Sequence, residues 1–107
     1  MVDHKHYTYR VTWSEEDGEY VALCAEFPSL SYLDAKQSAA LKGLTELVGE
    51  VIEDMLESGE EIPKPFSDKE YSGRFNLRMT PFIHRNLAIE AAELGVSLNR
   101  HINSKLA

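Results

Sequence analysis

The sequence predicts an α+β fold in two parts: an antiparallel sheet crossed by one long helix, then a β-α-α unit that is complete only as a dimer. Three observations predict it. Tyr7 to Trp13 alternates apolar and polar residues, and a second β-rich run follows it after a SEEDG turn. One helical apolar stripe then extends from Ala35 to about Ser58. Finally, Tyr71 to Met79 (YSGRFNLRM) alternates like a strand, yet two helical segments follow it and no further strand does. A lone strand is not stable in water. Its nearest available partner is its own copy in a second chain.

Composition narrows the class. The 107 residues suit one ordinary domain or two small ones, and 43% hydrophobic content is that of a globular chain rather than a disordered one. No apolar run approaches the roughly 18 residues of a membrane span, so no membrane partner is expected. MVDHKHYTYR leads straight into a strand pattern without the apolar core of a secretory leader. The single cysteine, Cys24, has no internal disulfide partner, which fits a reducing compartment and a cytoplasmic location. Net charge is −7, but unevenly spread. Residues 1–70 hold 6 Lys/Arg against 16 Asp/Glu, a net of −10, while residues 71–107 hold 5 against 2, a net of +3. That change of sign divides the chain into two modules. The expected division is a domain over 1–66, a linker over 67–71 and a second domain over 72–107.

Taken in order, Tyr7, Tyr9, Val11 and Trp13 share one face of the first strand, and Thr8, Arg10 and Thr12 share the other. Glu19 to Phe27 is the second strand of a hairpin. Leu30 to Leu33 offers a short third. Asp34 is positioned as an N-cap, with Gln37 completing a capping box. The long helix then places Leu41, Leu44, Val48, Val51, Ile52 and Met55 inward, and Glu46, Glu50, Glu53 and Glu57 outward. Gly59 ends it. Glu60 to Glu70 is Pro-punctuated and charged, and its IPKPF piece could add an edge strand. Thr80-Pro81 opens a helix that runs to Leu94, Gly95 stops it, and Ser97 caps a last helix carrying Leu98, Ile102 and Leu106. These last elements hold too little apolar surface to fold as a monomer.

At this point the residues resemble a known family. SGRFNLRM and TPFIHRNLAIEAAELGVSLNRHINSKLA, most tellingly the alternating strand, the Pro that opens the first of these helices and the GVSLN that starts the last, resemble the ribbon-helix-helix domain at the C-terminus of HicB-type antitoxins. The hairpin, EFPSL, the acidic helix and the IPKP exit resemble that family's N-terminal domain, a partial RNase H-like fold. One departure is local: Tyr32-Leu33-Asp34-Ala35 stands where a Gly-Asp-Thr-like sequence is common. The resemblance implies an antitoxin of a type II toxin–antitoxin system. Its N-terminal domain would mask a HicA-like toxin, a small mRNA-cleaving ribonuclease. Its dimeric C-terminal domain would bind double-stranded operator DNA and repress its own operon. The partners expected are therefore that toxin, operator DNA and a second copy in a homodimer or higher oligomer. The other reading is a stand-alone ribbon-helix-helix regulator whose first domain senses a ligand or mediates assembly.

The candidate site residues follow from chemistry. Arg bonds guanine and Asn bonds adenine in bidentate fashion, so Arg74, Asn76 and Arg78 are candidate base readers. The free N–H groups at Ser97, Leu98 and Asn99, at a helix N-terminus, suit a phosphate, with Arg85 and Arg100 as further phosphate contacts. For a basic toxin the candidates are the turn residues Glu15, Glu16 and Asp17 and the helix face Glu46, Glu50, Glu53 and Glu57. No enzyme is expected. Metal-dependent nuclease chemistry needs clustered carboxylates with one on the first strand, and Tyr7 to Trp13 has none. His4 and His6 lack a third ligand, so no metal or other cofactor is expected. Cys24 reads as a buried apolar filler, and His84 and His101 as exposed or interface residues.

Overall fold

The computed structural model describes residues 2–107. The chain divides into two compact units, the first ending at Tyr71 and the second spanning Ser72–Ala107. The α+β class is as expected.

In the first unit β1 (Tyr9–Ser14), β2 (Glu19–Cys24) and β3 (Ser31–Asp34) form an antiparallel sheet in sequence order. Ala22 stands between Val11 and Tyr32, so these three share the face that α1 (Gln37–Glu57) covers. Ala40, Leu44, Val48 and Ile52 are buried at steps of four residues along α1. Leu41 is instead exposed at 40%, and the small Ala40, about 100° round the helix, takes the inward position. Small residues let the layers close: a Cβ on Gly43 would collide with the Tyr32 ring. Cys24 is buried in this core, as its apolar-filler reading expects, and burial pushes its thiol pKa up.

Three local expectations are corrected. Asp34 ends β3 and does not cap α1. Its Oδ1 accepts the Lys36 N–H at 2.9 Å in a tight local turn, and Lys36 is the N-cap, with no side-chain bond. Gln37 is thus the first helical residue, which leaves no capping box. IPKPF adds no strand. Pro65 is fully buried, the Pro63 carbonyl accepts the Tyr7 hydroxyl at 2.7 Å, and Phe66–Asp68 forms a 3-10 turn. The helix stop at Gly59 does hold: with φ +71° there, Gly59 N–H bonds Leu56 O at 3.2 Å and Glu60 N–H bonds Met55 O at 2.9 Å.

Glu26 fastens the exit of this unit. Its carboxylate accepts the Thr8 N–H at 2.9 Å and the Phe66 N–H at 3.0 Å, joining the start of β1, the end of β2 and the 3-10 turn. Burial works to raise the Glu26 pKa, but the N–H donors of Phe66 and Thr8 outweigh it, and the net shift is downward. Ser67 and Asp68, expected in a linker, bond back to His6: the Ser67 hydroxyl donates to His6 O at 2.9 Å, and Asp68 Oδ1 lies 3.1 Å from His6 Nδ1.

In the second unit α2 spans Pro81–Leu94 and α3 spans Leu98–Leu106. Thr80 Oγ1 accepts the Ile83 N–H at 3.3 Å and Ser97 Oγ accepts the Arg100 N–H at 3.0 Å, the two caps the sequence predicts. Gly95, at φ +69°, closes α2, with Val96 N–H bonded to Ala91 O at 3.0 Å. The expected strand at Tyr71 to Met79 is not formed in the single chain. A ladder needs two strands, and this unit supplies one segment.

Candidate nucleic-acid interface and acidic surfaces

The second unit has a short core. Ala91 is its buried apolar residue, with Leu87, Leu98 and Ile102 half-buried around the α2–α3 contact. His101 is buried too, which corrects its reading as an exposed or interface residue. Its Nε2 lies 2.8 Å from Glu90 Oε2 across the two helices, and Lys105 Nζ lies 3.7 Å from the same oxygen. The His101 hydrogen bond, helped by the Lys105 charge, holds the Glu90 carboxyl below its ordinary range. No sequence signal singles out this pair, because it is made by residues on different helices. Its one trace is a Glu between the apolar positions Leu87 and Leu94.

Beside this contact lies an open groove of about 1000 Å³. One wall is the segment Gly73 to Met79, and the other is α3 at Leu98, Asn99, Ile102, Asn103 and Leu106, with His84 of α2 between them. Of the predicted DNA-contacting residues, Arg74, Asn76, Arg78, Leu98 and Asn99 therefore lie together on one groove. Arg85, Ser97 and Arg100 do not line it. The apolar residues of the segment are left open, Phe75 at 87% exposure and Leu77 at 53%. Among the described residues none of Arg74, Arg78, Arg85 and Arg100 enters an ion pair. Leu98 and Asn99 precede the first α-helical N–H bond of α3, from His101 to Ser97 O, so their N–H groups face outward unused.

The first unit carries its acidic residues on two surfaces. Glu46, Glu50, Glu53 and Glu57 are exposed and recur at three- and four-residue steps along α1, one face of the helix. At the hairpin turn Glu15 Oε2 accepts the Trp13 indole N–H at 3.0 Å, and Asp17 accepts the Ser14 hydroxyl at 2.9 Å. Among the described residues no three His, Cys, Asp or Glu side chains are grouped to hold a metal. No helix among them is long and apolar enough to cross a membrane.

Residues 56–106 match the model of the HicB family. Over those residues the chain is similar to HicB-type antitoxins. The match takes in almost the whole second unit and the exit of the first, and leaves the sheet and most of α1 outside it. No curated protein and no solved structure matches the chain. A toxin partner goes with the HicB family in general.

Proposed function

We propose that this chain is a HicB-type antitoxin that binds and neutralises a HicA-type mRNA-cleaving ribonuclease through its first unit, and represses its own operon by binding operator DNA through a dimeric ribbon-helix-helix. The observation that carries the DNA half is the open groove beside a segment with no ladder partner. Pairing Tyr71 to Met79 with its copy would cover Phe75, Leu77 and Met79 against both sets of helices. It would turn Arg74, Asn76 and Arg78 of both chains to the other face, as a ribbon of major-groove width. Leu98 and Asn99 N–H groups, with Arg85 and Arg100, would hold the phosphates and set the register. Exposed apolar surface on a positively charged unit supports this reading over an edge strand that is simply solvated.

Three measurements test it. Sedimentation of the full chain gives a dimer, and Arg74→Ala, Asn76→Ala and Arg78→Ala together abolish operator retention in a gel-shift titration while the dimer persists. Unchanged retention in that triple variant overturns the base-reading assignment. Co-expression with a HicA-type ribonuclease restores growth. If growth stays arrested while operator binding holds, the chain is a stand-alone regulator.

A further inference from the structure

Two acidic surfaces are open to the toxin under the proposed function, and they differ in what stands beside the charge. The α1 face has Lys42 on the same side, and α1 contains no aromatic residue. The hairpin end has Trp13, 51% exposed although it lies on the strand face that packs against the core at Tyr9 and Val11. Its indole meets Tyr20 across the strands, edge to face, with centroids 5.1 Å apart and planes at 71°. Its Nε1–H is held by Glu15 at 3.0 Å. The ring is thus fixed from two sides before a partner arrives, so little side-chain entropy is lost on binding. Tyr20 is itself part-buried against the core, so the exposed, pre-oriented ring is that of Trp13, a residue type on which interface energy concentrates.

The surroundings select the occupant. Between Val11 and Ala35 there is no Lys or Arg, while Glu15, Glu16, Asp17 and Glu19 flank the aromatic pair. We infer that Trp13 and Tyr20 anchor the toxin contact, with an arginine of the basic, RNA-binding partner stacked on the indole and its charge shared with the turn carboxylates. A protein that cleaves RNA needs cationic surface to hold the phosphate backbone, and this patch is its complement. RNA itself is repelled, and so is the first unit of another copy, whose own charge is negative. The inference rests on the toxin-binding half of the proposed function.

Trp13 is the chain's single tryptophan, which makes the test direct. The full chain labelled with 5-fluorotryptophan gives one ¹⁹F resonance, and it is titrated with a purified HicA-type ribonuclease whose active site has been inactivated. The resonance shifts in step with binding, Trp13→Ala weakens the complex by about thirtyfold or more, and Trp13→Phe recovers part of the loss. Replacing Glu46, Glu50, Glu53 and Glu57 by Gln changes affinity less than Trp13→Ala does. Binding with a silent resonance, or full affinity in a Trp13→Ala chain that keeps its circular dichroism, overturns the inference and leaves the antitoxin reading standing. A shift that appears on concentrating the chain alone makes a second copy the occupant, and also overturns it. If the unaltered chain does not bind the ribonuclease at all, the toxin-binding reading falls, and the inference with it.

Discussion

Leu44 and Phe75 are both large apolar residues in regularly patterned segments, yet Leu44 is fully buried and Phe75 is 87% exposed. The difference lies in how many layers each unit owns. The first unit has a sheet and a helix, so each covers the other's apolar face, and a core of Tyr7, Ala22, Cys24, Phe27 and the inward α1 residues closes within one chain. The second has two short helices and one segment, and its apolar groove stays open. Charge divides the same way, −10 against +3. Under the proposed dimer, stability of the first unit is a property of the chain, and stability of the second a property of chain concentration.

The sharpest way to break this contrast is Phe75→Asp. A carboxylate in the covered face of the proposed ribbon prevents pairing, so sedimentation shows a monomer and operator binding disappears, while the first unit still melts at its original temperature. Leu44→Ala should do the reverse. It empties a site in the closed core, costing about 2–5 kcal/mol in denaturant unfolding of the first unit, and leaves dimer mass and operator affinity unchanged. Arg78→Ala acts on a surface alone: about 1–3 kcal/mol of operator affinity is lost, and discrimination relaxes at one base position in a competition gel shift. The smallest effect concerns Glu26. Its folded pKa is depressed, so its contribution to stability is complete above the ordinary glutamate value and is lost as pH falls through the lowered one. Glu26→Gln should flatten the acid-side loss of first-unit stability, read from melting temperatures between about pH 5 and pH 3.

Much of this was legible in the residues themselves. Thr80-Pro81, Gly95 and Ser97 place α2 and α3, because caps and stops act through hydrogen bonds a few residues away. Tyr9 to Trp13 betrays its strand by alternation. What escaped the sequence depends on distant neighbours. Asp34 had two nearby N–H groups to choose from, and bonded Lys36 rather than the helix. IPKPF is held by Tyr7 and Glu26, which lie some forty residues or more away in sequence. His101 is buried with its Nε2 bonded to Glu90 of another helix. The alternation from Tyr71 to Met79 was legible, but the strand expected from it is not formed in the single chain, where the segment has no ladder partner. At the acidic surfaces, the charged residues could be read off directly. The exposure of Trp13 could not, because alternation assigns it inward.

The segment from Tyr71 to Thr80 has a consequence for how long the protein lasts. Proteases cut backbone that is neither helical nor paired, and in the single chain this stretch is both exposed and without a ladder. Paired with a second copy, it would offer no such backbone. Lifetime would then follow the population of free monomer, and dilution would shorten it. One cut there would also part the acidic half from the basic half, ending any linkage between holding a toxin and holding an operator.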